Sequence, residues 1–399
     1  MITDPLLPAA SVLLGGEAQE MLAAAAGFAH GTLISMRPVQ VQYYPGHSLA
    51  VLYDGVVDWA GLGATGEAMV AMTAAKNLPA GALVLEADGL QVGVWRLPHD
   101  PALPGLAVAR TDGSDGQRAL LGADVTGPIE AVTLSYRPGR RAVVRLTADA
   151  HRVYVKVVRP RKTAEIREVH ERFAHHLPSP RVLRADHELG LVVLEELPGE
   201  GLVAALGRGV PLPTSADLLG LLSQLGAVPC DGQPPLRTAR GEAQALAGLI
   251  RAVLPFEADR VDALLARIGD DPPDDPPLQT IHGDLYDAQL LVDDDGRITG
   301  VLDLDRSGPG HVVDDLARML AHLDALAVFR PELADRATAY RDALWPDLAA
   351  ATDERELARR TAAVLVALAT GPFSALQDKW AQAVRRYLDG AAFWLDRAD

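Results

Sequence analysis

Between residues 131 and 198 the chain alternates apolar and polar residues, changes to helical spacing, and changes back, an order that restricts the fold more than any other feature. "AVTLSY" and "AVVRL" flank the turn "RPGRR", and "DAHR" leads into "VYVKVV". This predicts a three-stranded meander with a Pro-Gly turn between its first two members. "TAEIREVHERFAHHL" follows with helical periodicity and is stopped by Pro178 and Pro180. "GLVVLEELPGE" returns to strand spacing and runs into a loop. From Thr214 the pattern is helical: "TSADLLGLLSQLGAV" begins with a hydroxyl cap, and "EAQALAGLIRAVL" and "EADRVDALLARI" continue it. "GDDPPDDPPLQ" (269–279) interrupts the series, a short strand-rich stretch follows, and about four helices complete the chain. The expectation is an α+β chain, with a β-rich lobe over 126–200 and a helical lobe over 201–399.

Residues 1–125 are expected to form an additional α+β cap. Two of its segments resemble the region just described. "YYPGHSLAVLY" (43–53) is similar to "YRPGRRAVVRL" (136–146), and "NLPAGALVLEADGLQVGVWRLP" (77–98) is similar to "HLPSPRVLRADHELGLVVLEELP" (176–198). The two matches keep the same order at nearly the same offset, as a degenerate duplicate of the β-rich lobe would. Recurrence of common hairpin and strand-end solutions is the other explanation.

Bulk properties narrow the partners. The formal charge of −16 argues against nucleic acid or an anionic membrane as partner, because both need basic surface. The single cysteine, Cys230, rules out an intramolecular disulfide and a cysteine-rich metal site. The N-terminal apolar run lacks preceding basic residues, and no segment has the length and apolarity to span a bilayer. A cytoplasmic location is the expectation. Oligomeric state is not readable.

The chemistry concentrates in "TIHGDLYDAQLLVDDDGRITGVLDLDRSGPG" (280–310). Phosphoryl transfer needs a carboxylate near the attacking hydroxyl, hard-oxygen ligands for a metal, and a cation on the nucleotide phosphates. A strand–turn–strand of this length returns the chain beside its start, so Asp284, Gln289 and Asp303 converge. Asp284 would orient or deprotonate the hydroxyl, and Gln289 and Asp303 would hold Mg2+. For Asp284 and Asp303 the bland alternative is turn chemistry. Asp287, Asp305 and Asp293–Asp295 read as solvated turn residues, and Arg306 as either a substrate contact or a turn brace.

"HGDLYDAQLLV" followed by "ITGVLDLDRSGPGHVVDDLA" resembles the paired signature of aminoglycoside phosphotransferases and choline-kinase-like small-molecule kinases. The resemblance implies a bilobal protein-kinase-like fold, ATP and Mg2+ as cofactors, Asp284 as catalytic base, and Gln289 and Asp303 as metal ligands. It makes His282 a structural brace and gives Asp315 the same role for the catalytic loop. Lys156, ending the third meander strand, stands where that fold places the lysine on the α- and β-phosphates. Its ion-pair partner would be Glu168, with Glu165 one turn earlier as substitute. "LEELPGE" resembles the adenine-binding hinge, which assigns Glu195, Glu196 and Leu197 to the nucleotide. The flap position "YRPGRR" has Gly139 as its one glycine, fewer than a glycine-rich phosphate loop.

Gln289 stands where most of these enzymes have asparagine. Glutamine offers the same amide oxygen one carbon–carbon bond further out, so the ligand type is retained. Actinobacterial maltokinases and related glucosamine kinases are similar in carrying glutamine here and an N-terminal cap. Tyr286 and Ala288 depart from their motif, where histidine and glycine stand.

For the substrate, residues 270–324 hold fourteen aspartates and three arginines, a field that favours an amine-bearing or neutral polyol. Together with the family resemblance, whose members act on aminoglycosides, amino sugars, disaccharides, choline, homoserine and macrolides, this makes a sugar, amino sugar or aminoglycoside the expected partner. Trp345, Trp380, Trp394, Tyr340 and Tyr387 would supply a stacking face, or else pack the core. The rival class is a catalytically silent, kinase-shaped nucleotide- or sugar-binding protein. Among enzymes, a resistance kinase competes with a metabolic sugar kinase.

Overall fold

The computed structural model describes residues 4–122, 125–230, 232–272 and 277–399. Part of the proline-aspartate break at 269–279 lies outside these residues. The chain divides into two compact units, one of residues 1–167, 182–196 and 373–378, the other of residues 168–181, 197–372 and 379–399.

The first unit holds two five-stranded antiparallel sheets. The N-terminal sheet is made of β1 (Gly31–Tyr44), β2 (Ser48–Trp59), β3 (Gly63–Ala74), β4 (Leu83–Ala87) and β5 (Leu90–Arg96), in the order β1-β2-β3-β5-β4. The second is made of β6 (Glu130–Arg137), β7 (Arg141–Ala148), β8 (His151–Val158), β9 (Val182–Asp186) and β10 (Leu191–Glu195), in the order β6-β7-β8-β10-β9. The two orders are the same. Helices α1 (Ala10–Leu14) and α2 (Glu17–Phe28) precede the first sheet; α3 (Gly105–Arg110) and α4 (Asp115–Leu121) lie between the two in sequence.

The expected meander is β6, β7 and β8, with Gly139 at φ +65° in its Pro-Gly turn. Strict alternation along β7 buries Ala142, Val144, Leu146 and Ala148. These residues share one core with Ala50, Val70 and Trp95 of the first sheet and with Leu103, Leu106 and Leu120. Polar contacts also tie the second sheet to the segment that follows β5. The buried Asp100 carboxylate accepts the Tyr136 hydroxyl and the Gly139 N–H, each at 2.7 Å. Arg140, beside that glycine, donates to the Tyr44 hydroxyl at the tip of the first sheet's hairpin.

α5 (Thr163–Phe173) follows β8. The second unit contains α6 (Leu202–Arg208), α7 (Ser215–Gly226), α8 (Ala239–Val253) and α9 (Ala258–Ile268), then the site-bearing strands, then α10 (Val312–Phe329), α11 (Ala334–Ala350) and α12 (Glu354–Leu368). α13 (Gly371–Ser374) and α14 (Trp380–Ala398) end the chain. Thr214 and Asp217 form a reciprocal capping box on α7, and Thr238 caps α8. α10 and α12 are buried nearly all round, so they form the centre of the helical core.

The terminal aromatics belong to that core. Trp345 and Trp394 pack with ring centroids 4.7 Å apart, and Tyr340 and Tyr387 are buried beside them. The Trp394 indole donates to Asp324 at 2.6 Å, and the Tyr340 hydroxyl donates to the Pro213 carbonyl at 2.7 Å. Their large apolar area pulls these rings inward, so the expected sugar-stacking face is not formed by them. Trp380 alone of the five is half-buried.

Candidate active site

The site-bearing segment folds as two short antiparallel pairs. β12 (Gln279–Ile281) pairs with β15 (Gly308–Gly310), and β13 (Leu290–Val292) pairs with β14 (Ile298–Val301) on one side and with β11 (Glu200–Gly201) on the other. The loop from His282 to Gln289 connects β12 to β13. Its last three residues, Asp287–Gln289, form a 3-10 turn.

Hydrogen bonds draw the ends of this segment together. The Leu302 N–H donates to the Gln289 carbonyl at 2.8 Å. Nε2 of His282 lies 2.8 Å from the Leu302 carbonyl, while the Asp284 N–H donates to His282 Nδ1 at 3.2 Å. The imidazole therefore carries its proton on Nε2 and accepts at Nδ1. Asp303 follows Leu302 directly, in the left-handed conformation at φ 56° and ψ 47°. Through His282 and Leu302 these backbone contacts link the Asp284 and Gln289 segments to Leu302, the residue before Asp303.

Asp315, in the first turn of α10, fixes the start of the loop. Its Oδ2 accepts the His282 N–H at 2.7 Å, and its Oδ1 accepts the Gly283 N–H at 2.9 Å. Burial raises this carboxyl above the usual range, against the pull of His282 and the backbone N–H groups. Gly283 has φ +75°, and a Cβ there would sit 2.7 Å from Leu236 Cδ1 and 2.8 Å from the Arg306 carbonyl. The glycine of the His-Gly-Asp sequence is therefore required by backbone angle and by space.

The side chain of Asp284 is mostly enclosed, and Nη1 of Arg306 lies 3.9 Å from its Oδ1. Gln289 is buried, and its backbone carbonyl, bonded to the Leu302 N–H, lies one residue along the chain from Asp303. An amide oxygen and a carboxylate are the hard donors Mg2+ prefers, and that ion usually completes its shell with water and substrate phosphate. Among the described residues, no group of three His, Cys, Asp or Glu side chains is placed to hold a metal ion.

In the second sheet, Lys156 is a buried residue of β8, opposite Val192 of β10. Glu195 ends β10, Glu196 pairs with Arg152 at 2.5 Å, and Leu197 follows half-buried. Glu168 is exposed on α5; Glu165 is engaged by Lys162 at 2.5 Å. Lys156 belongs to the first compact unit and Glu168 to the second.

Several site neighbours gave no sequence signal. Glu242, in the first turn of α8, receives Nη2 of Arg306 on one oxygen and Nη2 of Arg318 on the other. Burial works to raise the Glu242 carboxyl, but the two guanidinium groups more than offset it and hold it below the usual range. Tyr286 stacks on His322 at 4.0 Å, and burial, with Arg318 nearby, lowers that imidazole to about 3. Asp287, expected as a solvated turn residue, is instead buried, and burial pushes its carboxyl up to about 7.

Comparison with known proteins places this geometry in context. A sequence profile described as the phosphotransferase enzyme family (APH) matches residues 137–351, more than half of the chain. No curated protein sequence matches significantly. Solved structures with similarity include the apoenzyme of macrolide 2'-phosphotransferase from Brachybacterium faecium, at 20% identity over 68% of this chain and 98% of that one, with a TM-score of 0.42. Aminoglycoside phosphotransferase APH(3'')-Id from Streptomyces rimosus is 18% identical over 68% and 92% of the two chains, with a TM-score of 0.37. The GDP complex of aminoglycoside 2'-phosphotransferase-IIIa is 16% identical over 68% and 94%, with a TM-score of 0.47. On the extent of the profile match, with the His-Gly-Asp loop and the Asp303 strand inside it, this chain belongs to the phosphotransferase enzyme family.

Proposed function

We propose that the protein is an ATP-dependent small-molecule kinase that phosphorylates a hydroxyl of a sugar, amino sugar or aminoglycoside. The observation that supports this reading is the backbone network of His282, Leu302 and Asp315, which links the loop of Asp284 and Gln289 to the residue preceding Asp303.

In this reading Asp284 orients the acceptor hydroxyl and accepts its proton as the oxygen attacks the γ-phosphorus. The His282 ring receives the Asp284 N–H and is itself fixed by Leu302, so the carboxylate is held on a braced loop. Gln289 and Asp303 would hold Mg2+, whose charge, when bound, neutralises the phosphate oxygens. Lys156 contacts the α- and β-phosphates, with Glu168 as its ion-pair partner. Glu195, Glu196 and Leu197 present the backbone that meets adenine. Use of ATP fits a cytoplasmic location, and no helix among the described residues is long and apolar enough to cross a membrane.

The acceptor class follows from charge. Fourteen aspartates against three arginines over 270–324 disfavour an acidic substrate and suit a neutral or amine-bearing polyol.

We also read the chain as a cap (1–125), a nucleotide-side lobe (126–200) and a helical lobe (201–399), with the cap a decayed copy of the second part. The shared strand order supports this. Aligning the two Pro-Gly turns sets Ala50 against Val143; their partners across the next strand are Met72 and Lys156. The cap therefore has a thioether in place of the phosphate-binding cation.

One observation favours the rival reading of a silent binder: the flap turn has one glycine and is tied down by Asp100. Mass-spectrometric screening for phosphorylated product from Mg-ATP and a panel of amino sugars, sugars, aminoglycosides and amino alcohols separates the two. A kinase gives a product that the Asp303→Ala variant does not form. A silent binder gives saturable binding of Mg-ATP and no product.

A further inference from the structure

We infer that Glu242 is a positioning residue that keeps Arg306 from capturing the Asp284 carboxylate, and so leaves that carboxylate open to the acceptor hydroxyl. The inference rests on the reading of Asp284 as proton acceptor.

Two carboxylates compete for one guanidinium. Arg306 is half exposed, and its Nη2 is in direct hydrogen-bond contact with Glu242 Oε1. Its Nη1 stands 3.9 Å from Asp284 Oδ1, beyond hydrogen-bond length but within reach of a small side-chain rotation. A charge-assisted pair would form if the guanidinium moved roughly 1 Å closer. Such a pair would occupy the Asp284 oxygen and reduce its basicity, the two properties a proton acceptor needs.

Glu242 cannot easily follow Arg306 if the arginine shifts, because the first turn of α8 is fixed on several sides. Thr238 caps it through the Gly241 N–H at 3.1 Å. The Ala239 N–H donates to Asp314 Oδ1 at 3.1 Å, which ties the turn to α10 next to Asp315. Arg240 forms a two-pronged pair with Glu356 of α12, both contacts at 2.7 Å. The second oxygen of Glu242 takes Arg318, a nearly buried residue one turn along α10 from Asp315. Glu242 therefore holds one arginine inside the protein and the other at the edge of the catalytic carboxylate, from a backbone fixed to the same helix that braces His282 and Gly283.

The test uses the full chain with Mg-ATP and water as acceptor, read as release of inorganic phosphate. Glu242→Gln keeps the shape and an acceptor for Arg318 but removes the charge that holds Arg306. We expect its kcat to fall roughly tenfold or more, the scale of impaired general-base catalysis, with KM for Mg-ATP little changed. Adding Arg306→Gln to that variant should recover several-fold of the lost rate, because the competing guanidinium is gone. Glu242→Asp, which keeps the charge, should retain more activity than Glu242→Gln. A double variant no faster than Glu242→Gln overturns the inference, since a purely structural role for Glu242 gives no such suppression. Asp284→Asn is measured alongside. Wild-type turnover in Asp284→Asn would remove the reading of the site itself, whereas an inactive Asp284→Asn with no suppression by Arg306→Gln removes only the role given to Glu242.

Discussion

The carboxylate of Asp315 accepts the backbone N–H of His282 at 2.7 Å, fully buried at the start of α10. Its other oxygen takes the next N–H, that of Gly283, so one side chain closes both donors at the entry to the His282–Gln289 loop. Asp315→Ala leaves two buried N–H groups without an acceptor, each costing about 1–3 kcal/mol. The expected outcome is a loss of about 2–4 kcal/mol of stability in urea unfolding, together with loss of ATP turnover. Turnover at the wild-type rate would show that the loop does not depend on this brace.

Gln289 tests the metal assignment without removing a charge. Mg2+ requires near-octahedral geometry at about 2.0–2.1 Å, so a shorter amide arm strains the site but keeps the donor. Gln289→Asn should retain partial turnover with a higher Mg2+ requirement, and Gln289→Ala should lose most of it. Unchanged Mg2+ dependence in Gln289→Ala would show that the amide is not a ligand.

Asp100, in the segment after β5, holds Tyr136 and the Pro-Gly turn at Gly139. Asp100→Ala strands a buried hydroxyl and a backbone N–H, and should cost about 1–3 kcal/mol by chemical denaturation. A raised KM for Mg-ATP at unchanged kcat is expected if the freed turn covers the nucleotide. An unchanged KM would confine Asp100 to a structural role.

His322 gives a pH signature. Its folded value, about 3, lies below the ordinary 6.5. Its contribution to stability is therefore fully present above pH 6.5 and is lost as pH falls toward 3. His322→Phe keeps a ring against Tyr286 but has nothing to protonate. Between pH 7 and pH 4 the wild type should lose about 3 kcal/mol more than the variant, at ~1.4 kcal/mol per pH unit. Parallel loss in the two proteins, by denaturation at both pH values, would contradict the buried neutral imidazole.

The meander and its Pro-Gly turn were legible because period-two alternation and turn chemistry are local properties. The loop carrying Asp284 and Gln289 and the segment before Asp303 were legible as neighbours because two short strands return the chain within a span of twenty residues. Glu242 was not, since it lies 42 residues before Asp284 on a helix whose polar face reads as solvated. Only the folded contact with Arg306 and Arg318 gives that glutamate a role. The aromatic residues near the C-terminus failed as a stacking face for a related reason: sequence spacing names a helix face but not what covers it, and Trp345 and Trp394 cover each other.

The most direct test of the account is product formation from Mg-ATP across the acceptor panel, with wild-type protein and Asp303→Ala run side by side. The account predicts a phosphorylated polyol or amino sugar from the wild type and none from the variant, with Asp284→Asn slower by roughly two to four orders of magnitude. Equal product from the wild type and Asp303→Ala would contradict it, because the reaction would then be running somewhere other than the loop that His282 and Asp315 hold together.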